Sequence, residues 1–335
     1  MTFPVIRSDA PSARERGEAF GRAQAERVAH TVDVYRRLFA ATGVTVPDAI
    51  PMPGAAREEI EAIAAGAGVD AHALLAVNAR TEILAGSGPT ECSVVGAGGL
   101  LAQNWDWHPE LAASTVVWVV REPDGSWFAT LTEAGILAKI GLNDAGLGVC
   151  LNLLHTSADG GVGGTPIHVL LRQVLQTCRS VDDGVALLTG ATVAASSAVT
   201  VAAPGDVASV ELSPGGANVL RGSVGAHTNH FLEPPRAGRD LMPEESPSTL
   251  PRLDVVRRAP LLDALRSHEG HPDGVCRHLD ERAAWSDQAV TVASVVMNLA
   301  ARRLHVAAGQ PCTHEHEEIR LEPSSSAPLA STATR

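Results

Sequence analysis

Cys92 follows the stretch Gly86-Ser87-Gly88-Pro89-Thr90-Glu91 and opens an apolar segment that runs into Gln103-Asn104-Trp105-Asp106. By residue type alone, a single thiol at the junction of loop and strand reads as a buried structural sulfur. A second chemistry is open to it if the chain is cut between Glu91 and Cys92. Cys92 would then hold a thiol and a free α-amino group. An α-amine titrates near 8, so at neutral pH part of it is neutral and can take the thiol proton. Nucleophile and base would come from one residue, and the Gly/Pro-bearing segment ahead of it would allow the strained backbone that an N-to-S acyl shift needs.

Other polar residues stand where chemistry could use them, each with a plainer reading. Asp106 lies fourteen residues past Cys92 in Asn104-Trp105-Asp106-Trp107 and reads as a turn aspartate between strands. Asn229, in "AHTNHF", reads as a polar residue at a strand end; alternation would put His227 and Asn229 on one face and His230 on the other. Arg277, in "GVCRHLD", reads as a solvated loop arginine. "DGGVGGTP" (159–166) lacks the GK[ST] of a phosphate loop and reads as a flexible lead into a helix. "HEHEE" (314–318) lacks HExxH spacing and would hold a metal only adventitiously. Glu133, in "TEAG", reads as structural, and Cys150, Cys178, Cys276 and Cys312 as buried or incidental thiols.

The elements that must position these groups change character at Cys92. Before it the chain reads as helical: Ser12 and Glu15 have capping-box spacing ahead of a segment to Ala41, a second helix covers 55–65, and a third starts after Asp70 and runs to Ile83. After it, β-rich segments at 114–121, 126–133, 136–141 and 147–154 are separated by turn signals. Helices follow at 166–178 and 181–189, strands at 196–203, 207–213 and 224–229, a helix over 249–267, and a hairpin over 289–298 and 302–308. This order predicts an α+β layered fold with two packed sheets. No GxGxxG follows a first strand, which argues against a dinucleotide-binding domain.

A net charge of −12 with no basic stripe excludes a nucleic-acid surface; even the densest basic run, Arg252 to Arg266, includes Asp254 and Asp263. Five cysteines, an odd number without CxxC spacing, fit a reducing cytoplasm. The first twenty residues lack a signal-peptide apolar region, and no apolar run reaches the roughly 18–20 residues of a membrane span, so a soluble cytoplasmic protein is expected.

The run from Cys92 through "QNWDW", then "TEAGILAKIGLNDAGLGVCLNLL", then "HTNH", resembles the isopenicillin N acyltransferase family of self-processing N-terminal-nucleophile hydrolases, over nearly the whole chain to Pro311. The resemblance implies a four-layer αββα sandwich, made as one precursor and cut into a helical α chain, 1–91, that stays associated with a catalytic β chain, 92–320. Residues 321–335 have the composition of a disordered tail. The resemblance also implies Cys92 as nucleophile, Asn229 as a donor to the tetrahedral oxyanion, and Asp106 and Arg277 in the substrate pocket, Asp106 near the incoming amine and Arg277 as a two-point carboxylate partner. The cut would fall between Glu91 and Cys92, whereas the family's best-known member is cut after glycine. Gly274 stands where that enzyme's pocket presents serine. No metal or organic cofactor is implied, and partners would be a small acyl amide, or an acyl-CoA cosubstrate and an amine. Transfer and hydrolysis differ only in the second nucleophile. Two other readings remain: an uncut Cys–His hydrolase with His227 or His230 as base, and a non-catalytic binding module on the same fold.

Overall fold

The computed structural model describes residues 2–87, 91–161, 163–222 and 225–321. After a short strand β1 (Val5–Ser8), the Ser12 side chain accepts from the Glu15 backbone N–H at 3.2 Å and starts α1 (Ala13–Ala23). Gln24 interrupts, and α2 (Ala25–Thr42) ends on Gly43 in the left-handed region. α3 (Gly54–Ala67) follows, then α4 (Ala71–Asn78), capped by Asp70, and α5 (Arg80–Leu84). Two expected single helices are thus each broken in two. At the second break Asn78 is held from outside its helix: its side chain donates to the Gly135 carbonyl at 2.8 Å and accepts from the Leu137 N–H at 3.0 Å. β1 is an addition to the expected elements. It pairs parallel to a later strand, a partner far away in sequence that a local pattern does not announce.

The strand-led part opens with the hairpin β2 (Glu91–Ala97) and β3 (Leu100–Trp107). It continues through β4 (Thr115–Arg121), β5 (Trp127–Glu133), β6 (Ile140–Asn143) and β7 (Gly148–Leu153). Helices α6 (Ile167–Thr177) and α7 (Val181–Thr189) separate these from β8 (Ser197–Ala203), β9 (Asp206–Ser213), β10 (Gly216–Arg221) and β11 (Gly225–His227). Helices α8 (Met242–Glu245), α9 (Thr249–Arg258) and α10 (Leu261–Leu265) precede β12 (Val290–Asn298), β13 (Arg303–Ala307) and β14 (Glu317–Ile319). The expected helix over 249–267 divides at Pro260, whose ring forces Ala259 out of the helical region. The strand expected over 136–141 begins only at Ile140. β10 and β14 are further additions; each forms an edge, where few hydrophobic residues are needed. The expected disordered tail lies, apart from Leu321, outside the described residues.

The strands form an eight-stranded sheet, β1-β4-β5-β6-β7-β8-β9-β10, and a six-stranded sheet, β11-β2-β3-β12-β13-β14. Alternation along the second sheet sets the layers. Val94, Leu101, Trp105 and Val295 face the core between the sheets, while Val95, Ala102 and Val296 face outward against Leu253, Val256 and Leu265 of α9 and α10. α6 and α7 cover the other side of the eight-stranded sheet. The result is the αββα sandwich, with α1–α5 packed beside it. Among the described residues no helix is long and apolar enough to cross a membrane.

The N-terminal helices are joined to the sandwich by a buried ion cluster. α1 crosses α3 on glycines: a Cβ at Gly17 would lie 2.5 Å from the Glu59 carbonyl oxygen. At that crossing Glu59 accepts from Arg16 at 2.8 Å and from Arg172 of α6 at 3.0 Å, all three nearly inaccessible to water. Removing one partner leaves buried charge uncompensated. Glu59→Gln is expected to cost about 3–5 kcal/mol and to lower the calorimetric unfolding midpoint by on the order of 10 °C. An unchanged midpoint would mean that this cluster does not join the two parts.

Candidate active site

Cys92 is the second residue of β2, paired with Trp105 across the hairpin, and its side chain is on the inner face. Its own backbone sits in a buried polar cradle. The Cys92 N–H donates to Asn229 Oδ1 at 2.7 Å. Its carbonyl accepts from Asn152 Nδ2 at 2.9 Å and from Arg252 Nη1 at 2.9 Å. The same guanidinium reaches Ser93 Oγ at 3.0 Å and Asn229 Oδ1 at 3.1 Å. Asn229 is fixed in turn: its backbone N–H donates to Thr249 Oγ1 at 2.8 Å and one side-chain N–H to the Leu153 carbonyl at 2.9 Å. The other N–H of that amide is the donor an oxyanion would need.

Asn152 and Arg252 are neighbours of Cys92 that sequence reasoning does not single out. Arg252 looks like part of a mixed charge run, but Thr249 and Arg252 are three apart on α9 and both buried, on the same face as Val256. Helical periodicity is the available signal. Asn152 lies in "LGVCLNLL", where a polar residue in an apolar strand is the signal.

Burial, and then the Asp106 charge, push the Cys92 thiol up to about 11, while the Asp106 backbone N–H donates to the sulfur. In the uncut chain it is therefore protonated at neutral pH. Beneath the site the Lys139 ammonium lies 3.7 Å over the Trp105 ring and pairs with Glu133, which also accepts from Tyr35 at 2.7 Å. Burial opposes the Glu133 charge, but Lys139 and Arg80 outweigh it and hold the carboxyl down to about 2. Glu133 is thus an anchor between β5, α2 and the end of the β5–β6 segment.

Asp106 is not in a turn but in β3, in register with Glu91 on one side and Thr291 on the other. Thr291 Oγ1 donates to Asp106 Oδ1 at 2.7 Å and accepts from the Arg277 backbone N–H at 2.9 Å. Asp106 and Arg277 therefore meet at one threonine. The Arg277 guanidinium pairs with Asp273 at 2.7 Å and is largely buried rather than solvated. In the same loop a Cβ on Gly274 would lie 2.9 Å from the Glu269 carbonyl oxygen, so a serine there would require the loop to shift.

The two histidines flanking Asn229 are bonded to other groups. β11 ends at His227, so alternation does not extend to Asn229. His227 is buried between Glu211, at 2.9 Å, and the Thr228 carbonyl, at 2.7 Å. His230 contacts Thr249 Oγ1 at 2.9 Å, and burial followed by the neighbouring His227 brings it down to about 4, so it is neutral at cellular pH.

A cleft of ≈ 20 Å³, room for about one water, is lined by Arg80, Gly86, Trp107, Leu153, His155 and Met242. Neither this cleft nor a wider cavity of ≈ 450 Å³, between Gly96–Leu100 and Ala202–Val207, is lined by Cys92, Asp106, Asn229 or Arg277.

The family model described as acyl-coenzyme A:6-aminopenicillanic acid acyl-transferase matches residues 94–313. The chain belongs to that family. Its match starts two residues past Cys92 and includes Asp106, Asn152, Asn229, Arg252 and Arg277. A relative in this acyl-transferase family, the acyl-coenzyme A:6-aminopenicillanic-acid-acyltransferase 40 kDa form of Emericella nidulans, is 29% identical over 163 residues, 47% of this chain and 45% of that protein. The match thus spans less than half of that relative's length. Among solved structures, penicillin V acylase from Agrobacterium tumefaciens aligns with 15% identity over 65% of this chain and 82% of its own, at a TM-score of 0.44. A mutant conjugated bile acid hydrolase from Clostridium perfringens aligns with 13% identity over 68% and 92%, at a TM-score of 0.43.

Proposed function

We propose that this family member is a self-processing acyltransferase or amidohydrolase, cut between Glu91 and Cys92 and acting through a Cys92 acyl-enzyme. The observation that carries this reading is the hydrogen bond from the Cys92 N–H to Asn229 Oδ1. A backbone nitrogen in such a seat becomes, once the peptide bond before it is broken, an α-amine already oriented beside its own thiol.

In the processing step Cys92 Sγ attacks the Glu91 carbonyl carbon. The C–N bond breaks, the thiol proton ends on the departing nitrogen, and water hydrolyses the resulting thioester to the Glu91 carboxylate and free Cys92. In turnover the neutral α-amine takes the thiol proton, the thiolate attacks the acyl carbonyl, and the second N–H of the Asn229 amide donates to the oxyanion. The leaving amine or thiol takes a proton back, and an amine or water resolves the thioester. Asp106 and Arg277, joined through Thr291, would hold the amine-bearing partner. The family's description supports an acyl-CoA donor and an amine acceptor, with water as the competing acceptor. The ring partners of His227 and His230 argue against a separate histidine base. Cysteines without CxxC spacing fit a reducing cytoplasm.

Acid quenching during turnover of a short-chain acyl thioester or N-acyl amine, followed by mass analysis, tests this. The polypeptide 92–335 should gain the acyl mass at Cys92, and hydroxylamine should remove it. Turnover with no adduct at Cys92, or with an adduct elsewhere, would contradict the reading.

A further inference from the structure

Cys276, His278 and His268 lie in the loop between α10 and β12, and Cys312 lies between β13 and β14. Although distant in sequence, their ligand atoms all fall within 4.8 Å of one another. His278 Nε2 is 3.2 Å from His268 Nε2, 3.4 Å from the Cys312 sulfur and 3.8 Å from the Cys276 sulfur. We propose that these four side chains form a tetrahedral Cys₂His₂ site for a structural zinc ion.

Three features carry this. First, the spacings are those of a tetrahedron. Zn–S near 2.3 Å and Zn–N near 2.0–2.1 Å imply S···N edges of about 3.6 Å and an N···N edge of about 3.3 Å. Second, hydrogen bonding accounts poorly for the packing. An imidazole nitrogen has either one proton or one lone pair, yet His278 Nε2 faces three heteroatoms at once. A cation accepting a lone pair from each group resolves the conflict. Third, the chemistry balances. Two thiols lose their protons as the ion binds, and two thiolates neutralise Zn²⁺ in a half-buried setting. The Cys312 backbone N–H also donates to the Cys276 sulfur, a hydrogen bond that would stabilise a metal-bound thiolate.

The location gives the ion a task. Arg277 stands between two ligands, and Arg266 in the same region donates to the Pro311 carbonyl at 3.1 Å. Zinc would tie the Arg277 loop to the β13–β14 connection and so fix the loop that carries Arg277. This inference does not depend on the cut at Cys92.

The full chain, expressed without a histidine tag in zinc-supplemented medium and dialysed, should retain close to one zinc per chain by elemental mass spectrometry. Cobalt(II) in its place should show thiolate-to-metal charge transfer and the intense visible bands of a tetrahedral site. His268→Ala, at an exposed ligand, and Cys312→Ser should each lower zinc affinity by at least about tenfold, and His271→Ala should leave it unchanged. If Cys312→Ser fails to fold, the His268→Ala comparison still decides. No zinc with both thiols free, or a Cys276–Cys312 disulfide on non-reducing peptide mapping, would overturn the proposal.

Discussion

Cys92→Ala is expected to give a single 335-residue polypeptide with no measurable turnover. In the proposed mechanism processing and catalysis both need the sulfur: without it nothing would attack the Glu91 carbonyl, and no acyl-enzyme would form. Loss of a nucleophile that works as a unit with its base lowers the rate by on the order of a millionfold. The fold should survive, because the cradle around residue 92 is built on its backbone, through Asn229, Asn152 and Arg252. A stability change of about 1–2 kcal/mol is expected. Gel electrophoresis and a thermal melt read both parts. A cut, active Cys92→Ala protein would remove the sulfur from the mechanism altogether.

Asn229→Ala is expected to lower kcat by about 10²–10³ while KM moves little, the pattern of a group that acts on the transition state. Asn229 links the Cys92 nitrogen, the Arg252 guanidinium and the Leu153 carbonyl, so its truncation also leaves Arg252 one acceptor short and would misplace the α-amine of the proposed mechanism. Cleavage of the precursor should slow with it. Loss of these buried partners should cost about 1–3 kcal/mol, well short of unfolding a domain of this size. Steady-state kinetics beside a urea melt separates the two effects. An unchanged kcat would rule out the oxyanion role, and a loss matched by unfolding would make Asn229 purely structural.

Much of this arrangement is legible in the order of the residues. Local signals mark the elements: Ser12, Asp70 and Ser180 cap the helices they precede, and the apolar β-rich runs "STVVWVVR" and "LGVCLNLL" mark strands that do form. Position alone leaves Cys92 reading as a buried thiol; the resemblance carried by the motifs that follow it is what points to a nucleophile. What stays hidden depends on partners distant in sequence. Arg252 is separated from Cys92 by 160 residues, and a charged residue on a helix shows its target only once the helix is packed. The parallel pairing of β1 with β4 has no local signature. The four side chains His268, Cys276, His278 and Cys312 come from two loops with no spacing motif, so Cys276 and Cys312 read as incidental thiols until folding brings them together. Asp106 reads as a turn residue because the polar Gln103-Asn104 pair and the acidic side chain mask a continuous strand, Leu100–Trp107.

The central claim is that Cys92 becomes an N-terminus, and intact mass of the purified protein under denaturing, reducing conditions tests it most directly. The account predicts two polypeptides, with masses matching residues 1–91 and 92–335, that copurify before denaturation. A single 335-residue polypeptide that remains uncut while it turns over acyl amides or thioesters would contradict it.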